Sequence, residues 1–305
     1  MTKYRQSTIK GNLEVRAKVL RSVRDFFYEE GYLEVETPVR IPAPAPEEHI
    51  DAPESGEWFL HTSPELCMKR LLAAGFEKVY QICHCFRSGE RGRRHLPEMT
   101  LLEWYTVNAD YRDMMEQCER LIRYVVKRSG RGPLQYRGET IDLSGPWERL
   151  TVADAFERHG SLSVDRALEA GRFDEILGLE IEPLLGRGRP VFFYDYPVSC
   201  GALARGKASD PKLAERFELY ICGLELCNAF SELCDPGEQR ERFVKEMSRR
   251  ALAGKTRYPL PEEFLAALKD MPAAAGNALG IDRLVMLVSD SARIDNVVTF
   301  VPEEL

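Results

Sequence analysis

Apolar residues Val19, Leu20, Val23, Phe26 and Phe27 recur at helical spacing. Asn12 ahead of them is a candidate N-cap and Gly31 behind them a stop, which predicts a first helix. Residues 33–39 and 58–61 read as short strands. Between these, residues 41–53 carry Pro42, Pro44, Pro46 and Pro53 and are expected as a loop, because proline fits neither a helix interior nor a central strand. Pro64 then opens an amphipathic helix to about Ala74. Residues 79–86 and 99–107 read as strands around an arginine-rich loop. From 111 to 126, Met114, Cys118, Leu121, Ile122 and Val125 share one helical face. Residues 129–188 pattern weakly and are expected as a helical insertion. Strands follow at 191–196, 216–221 and 224–233, the last two joined by a turn at Gly223. Helices are expected at 238–253 and 261–269, with a last one beginning near Leu279. Neighbouring strands joined by tight turns, without regular strand–helix alternation, predict an α+β fold with an antiparallel sheet flanked by helices.

Composition narrows the class. The 305 residues are 44% hydrophobic and 30% charged, which suits a packed globular core and excludes a disordered acidic chain. No apolar run approaches the ~18 residues of a membrane span, and the polar start does not resemble a signal peptide, so a cytoplasmic protein is expected. The 42 Lys and Arg against 49 Asp and Glu leave a net charge of −7, which disfavours broad nucleic-acid binding. Eight unevenly spaced cysteines suggest free thiols. Cys83-His84-Cys85 places two sulfurs on one strand face and the imidazole on the other, and no second Cys/His pair nearby completes a zinc site.

Four clusters could carry chemistry. Residues 87–94 hold Arg87, Arg91, Arg93 and Arg94 with Gly89 and Gly92, which reads either as a phosphate-binding hairpin or as a solvated basic loop. On the next strand, alternation puts Met99, Leu101, Glu103 and Tyr105 on one face; Glu103 there suits a buried cation or, on an edge strand, solvent. In residues 218–232, Glu218 and Glu225 across a hairpin could hold a divalent ion, with surface alternation as the competing account. Strict parity sets Glu225 against Asn228, Phe230 and Glu232, so one shared site requires a bulge. Finally, Arg283 lies on a helical stripe with Leu279, Met286 and Leu287 and should meet a carboxylate or a phosphate.

In order along the chain, GYLEVETPV at 31–39, FRSGERGRRHLPEMTLLEW at 86–104 and GNALGIDRL at 276–284 resemble motifs 1, 2 and 3 of the class II aminoacyl-tRNA synthetase catalytic domain. SPELCMKRLL from Ser63 and GLELCNAFSEL from Gly223 make the resemblance nearly whole-chain and lysyl-like. It implies one catalytic domain over residues 1–305, binding ATP and Mg²⁺. Arg87 would grip the α-phosphate and the substrate carboxylate, and His95 and Arg283 the distal phosphates, with Arg87 and Arg283 as catalytic residues. Glu90 and Met99 would contact the adenine, and Glu218 and Glu225 the metal. Glu65 would read the amino group, and Glu103, Tyr105, Asn228, Phe230 and Glu232 would surround a lysine-like side chain. The sequence departs from the family at Gly89, Leu96 and Met99, which stand where an acidic residue, an asparagine and a phenylalanine are usual.

No N-terminal OB-fold anticodon-binding domain is expected, since the first catalytic helix begins near Asn12. With Ala278 in place of a motif 3 glycine, this resembles the truncated paralogues that attach (R)-β-lysine to elongation factor P. That likeness implies lysine or β-lysine as substrate, elongation factor P as acceptor rather than tRNA, and a homodimer through motif 1 near Pro38. Rival readings are a small-molecule ligase of the asparagine synthetase type, tRNA lysylation by a truncated synthetase, and a non-catalytic regulatory paralogue.

Overall fold

The computed structural model describes residues 4–130 and 132–305; Met1–Lys3, at the polar start, and Arg131, in the weakly patterned segment, lie outside the described residues. After a single helical turn at Arg5–Thr8, the first long helix, α1 (Lys10–Glu29), buries Val15, Val19, Val23, Phe26 and Phe27. Each such side chain removed from water contributes ~1.5–3 kcal/mol. Its N-cap is Ile9 and not Asn12. The Asn12 amide instead donates to Ser291 Oγ and to the Asn296 carbonyl, each at 3.1 Å, so a tertiary contact outweighs its capping preference. Gly31, at φ +76°, ends the helix where a side chain would be strained.

Eight strands build the main sheet: β1 (Leu33–Glu34), β2 (Lys78–Phe86), β3 (Glu98–Val107), β4 (Glu148–Thr151), β5 (Val191–Pro197), β6 (Asp210–Ile221), β7 (Leu224–Ser231) and β8 (Ala274–Gly280). Their spatial order is β1-β2-β3-β8-β7-β6-β5-β4, and Gly206–Lys207 pairs with β6 as a short ninth strand. The strands from β2 to β5 in that order pair antiparallel, as expected, but β1 on β2 and β4 on β5 are parallel, which makes the sheet mixed at both edges.

β8 departs most from the sequence pattern. Its residues AAGNALG carry no β-branched or aromatic side chain, and the pattern suggested a lead into a helix near Leu279. They form a central strand instead, and the helix starts only at Ile281. Small residues are needed there: a Cβ on Gly276 would strike the Tyr105 ring and the Glu232 carboxylate.

Helices α2 (Glu65–Ala73), α3 (Tyr111–Arg128), α4 (Pro236–Leu252), α5 (Glu262–Ala267) and α6 (Ile281–Ser289) flank the sheet. Pro64 is the N-cap of α2. Asp110 caps α3 by accepting from the backbone N–H of Arg112 and Asp113. Helices α1, α3 and α6 cover one sheet face in the largest core, which includes Phe27, Trp104, Leu121 and Leu284. A second core joins α2, α4 and α5 through Met68, Phe243 and Phe264. The weakly patterned stretch after α3 is not purely helical. It holds a hairpin (Gln135–Tyr136, Glu139–Thr140) and β4, as well as helices Val152–His159, Val164–Glu169 and Phe173–Ile176. Phe156 stacks on Phe173 at 4.9 Å, in a separate small core against Phe193 of β5. No helix of the described residues is long and apolar enough to cross a membrane.

Candidate active site

The sequence 218–228 folds into a hairpin whose turn has φ +51° at Cys222 and +67° at Gly223, a left-handed pair suited to a two-residue loop. Glu218 pairs with Asn228 and Leu219 with Cys227, but Tyr220 pairs with Glu225. Leu226 is therefore one residue too many, and this is the bulge that the alternation required. It returns Glu225 to the face of Asn228 and Phe230. Those residues and Glu218 line a cavity of about 280 Å³ on the sheet. From β3, Met99, Leu101, Glu103 and Tyr105 line the same cavity. In the sheet Glu103 lies opposite Ala278, and Tyr105 opposite Gly276.

One end of the cavity is cationic. Arg87, at the end of β2, has Nη1 3.7 Å from Glu90 Oε1, while its buried Nε has no partner. A guanidinium nitrogen left so is matched to an incoming anion. Arg283, in the first turn of α6, donates to both the Glu225 carboxylate and carbonyl at 2.9 Å, so the expected carboxylate is present. Its other nitrogen lies 2.7 Å from His95 Nε2. Desolvation and then the Arg283 charge hold the His95 pKa below its ordinary value, which favours a neutral ring accepting from the guanidinium. Burial pushes the Glu218 carboxyl up, although it accepts from Tyr220 Oη at 2.7 Å and from Arg216 at 2.6 Å. Burial also works against the charge of Glu225, but Arg283 and Arg87 outweigh it and hold Glu225 below the usual carboxylate range. Glu225 adds to the cost of ionising Glu218, as a second carboxylate facing the same cavity should.

The other end is anionic. Glu103 is 1% exposed; it accepts from Ser63 Oγ at 2.6 Å and Tyr105 Oη at 3.0 Å, and among the described residues no cation pairs with it. Burial and the Glu65 charge push it up to about 8. Glu47, beside the cavity, is raised to about 7 by burial and then Glu65. Asn228 accepts from Arg216 Nε at 2.8 Å, which fixes its amide. Glu90 and Met99 lie along the wall, and Ala278 sets a methyl group in it.

Glu65 lines the cavity, whereas Glu232 is placed differently. Glu232 is fully buried but is not among the cavity-lining residues; Lys69 on α2, itself buried, is ion-paired to it and to Glu65. The Lys69 ammonium also lies 5.1 Å from the Phe230 ring centroid. Glu232 thus already has a cation, and Glu65 shares it. Sequence reasoning missed Lys69, Ser63 and Arg216. The four-residue step from Glu65 to Lys69 was a usable signal for the first, whereas Ser63 and Arg216 act through contacts that no local spacing reveals.

The chain belongs to the class II tRNA synthetases of the D, K and N group, whose family model matches residues 1–304. Among its relatives, a lysine–tRNA ligase of Pelotomaculum thermopropionicum is 40% identical, over 96% of this chain and 63% of its own length. One from Moorella thermoacetica is 39% identical over 93% and 64%. An elongation factor P–(R)-β-lysine ligase of Edwardsiella ictaluri is 36% identical over 98% of both chains. The chain thus spans less than two thirds of those lysine–tRNA ligases and nearly all of the Edwardsiella protein.

Proposed function

We propose that the cavity joins ATP and a lysine-type amino acid as an aminoacyl adenylate, releasing pyrophosphate, and passes the acyl group to a lysine side chain of elongation factor P. The observation that carries the substrate class is Glu103: a carboxylate buried without a countercharge beside an open cavity suits a ligand ammonium. A carboxylate oxygen of the amino acid attacks the α-phosphorus, and the bond to the β-phosphate oxygen breaks. Arg87 and Arg283 bind and neutralise the phosphates, with His95 beside them as a neutral hydrogen-bonding group; positioning and charge supply the rate without a dedicated base. The donor set of Glu218 and Glu225 fits Mg²⁺, which would supply further charge neutralisation on the phosphates. A neutral amine of the acceptor then attacks the acyl carbonyl and AMP leaves.

The near-complete mutual coverage with the Edwardsiella ligase supports elongation factor P as the acceptor. Ala278, between Glu103 and Asn228 in the sheet register, supports (R)-β-lysine, since a methyl-sized change in a pocket discriminates by ~1–3 kcal/mol. The second reading, tRNA lysylation, draws on the relatives of 39% and 40% identity. Eight free cysteines suit the reducing cytoplasm. A homodimer through 31–39 is proposed too, with Tyr28, Leu33 and Val39 offering exposed apolar surface there. The test incubates the protein with ATP, α-lysine or either β-lysine enantiomer, and elongation factor P or tRNA. A β-lysyl mass increment on elongation factor P, fastest with the (R) isomer, is expected. Transfer only to tRNA, or equal specificity constants for α-lysine and (R)-β-lysine, would overturn the acceptor or the isomer respectively.

A further inference from the structure

We propose that Arg216 is a positioning residue that ties two parts of the cavity together: it aims the Asn228 amide at an oxygen of the amino acid and sets which oxygen of Glu218 is free for a cation. The inference rests on the adenylate-forming reading above and deepens it. Arg216 and Glu218 lie two positions apart on β6 and stand opposite Phe230 and Asn228 of β7, so all four share the face that lines the cavity.

One guanidinium serves three neighbours. Nε donates to Asn228 Oδ1 at 2.8 Å, Nη2 to Glu218 Oε1 at 2.6 Å, and Nη1 to the Cys200 carbonyl. Its Cζ lies 4.2 Å from the centroid of the Tyr196 ring, so the place of the fork is fixed from a third strand, β5. An Nε–H can only donate, which means that the Asn228 amide oxygen faces the arginine and its NH₂ group faces away. Among the described residues no partner takes that Nδ2. Asn228 therefore offers the cavity N–H donors, which suit the carboxylate or acyl oxygen of the amino acid and not its ammonium groups.

Glu218 is constrained in the same way. Tyr196 Oη donates to Oε2 at 2.5 Å and Tyr220 Oη to the same oxygen at 2.7 Å, which occupies both of its lone pairs. Arg216 takes one of the two on Oε1, so the remaining one is where a cation would bind. The bland account is a buried ion pair. That account needs only the Glu218 contact; it leaves the donor spent on an amide of another strand unexplained, and it predicts no coupling between Arg216 and ligand affinity.

The test uses the full chain, titrated with α-lysine and with (R)-β-lysine by calorimetry, and with Mn²⁺ in the presence of ATP by electron paramagnetic resonance. Arg216→Lys keeps the charge but cannot form the fork. It should weaken Mn²⁺ binding by ~10–100-fold, as loss of an outer-shell contact does. Asn228→Ala should weaken amino-acid binding in the parent and far less in Arg216→Lys, so that the two losses fall short of additivity by ~2- to 150-fold. Asn228→Asp keeps an acceptor for Arg216 but has no N–H to offer, and it should weaken the amino acid as Asn228→Ala does; this arm decides the matter if Arg216→Lys impairs folding. Additive losses, Mn²⁺ affinity unmoved by Arg216→Lys in a folded protein, or Asn228→Asp that binds the amino acid as the parent does would each overturn the proposal. A parent that binds neither isomer would overturn the adenylate reading and this inference with it.

Discussion

Replacing Glu103 with glutamine separates two quantities that usually move together. The substitution keeps the shape and removes the charge. In the ligand-free protein, the Glu103 carboxyl titrates near 8 against an ordinary 4.5. A carboxyl whose folded pKa lies above its unfolded one binds more protons in the native state. The fold therefore loses stability as pH rises from about 4.5 to about 8, by up to ~1.4 kcal/mol per unit from this group. By pH 7 the upper limit is about 3 kcal/mol. Glutamine removes that penalty, and the Ser63 and Tyr105 hydroxyls can each donate or accept, so both hydrogen bonds can be re-formed around the amide. Glu103→Gln should thus stabilise the ligand-free protein at pH 7 or 8 and do little at pH 4.5, read as urea midpoints. The same change deletes the partner of a buried ammonium, at ~2–5 kcal/mol, so binding of lysine or β-lysine measured by calorimetry should weaken by ~30- to 5000-fold. Unchanged affinity, or a ligand-free variant no more stable at pH 8 than the parent, would refute the reasoning.

Other substitutions test the remaining parts of the site. Arg87→Ala or Arg283→Ala should cut lysine-dependent ATP–pyrophosphate exchange by at least ~10²–10³-fold, as loss of a preorganised charge donor does; near-normal exchange in both would remove them from the site. Lys69→Met strands Glu232 in the interior and should cost ~3–5 kcal/mol in denaturant unfolding, part of it recovered by adding Glu232→Gln, whereas purely additive losses would deny the pairing. Gly276→Ala pushes a methyl group into Tyr105 and Glu232 and should cost ~1–3 kcal/mol while raising KM for the amino acid more than for ATP. Sedimentation velocity should show a dimer that Leu33→Glu weakens; a concentration-independent monomer would exclude the proposed interface.

Much of the fold could be read from local pattern because its elements are periodic where they are buried. The face of α3, the alternation on β3 and the need for a bulge near Glu225 all follow from spacing. What escaped depends on tertiary contacts. β8 is a strand because it is hydrogen-bonded on both sides, although Ala and Gly prefer otherwise. Glu232 looked like a ligand group because its cation, Lys69, comes from another element. The cationic end of the site was more legible, since Arg87, His95 and Arg283 sit in recognisable segments, and their place on one cavity only made the grouping explicit.

The extra residue at Leu226 also changes how this hairpin tolerates length variation. Deleting Leu226 restores simple alternation, which a strand ordinarily favours, and leaves Glu225 two positions from Asn228, on the face where it meets Arg283. A further residue inserted beside it, not taken up by the bulge, would instead turn Glu225 to the opposite face and away from Arg283. A one-residue gap at this point in any relative therefore keeps both the sheet and the Glu225–Arg283 contact, whereas a one-residue insertion gives that contact up.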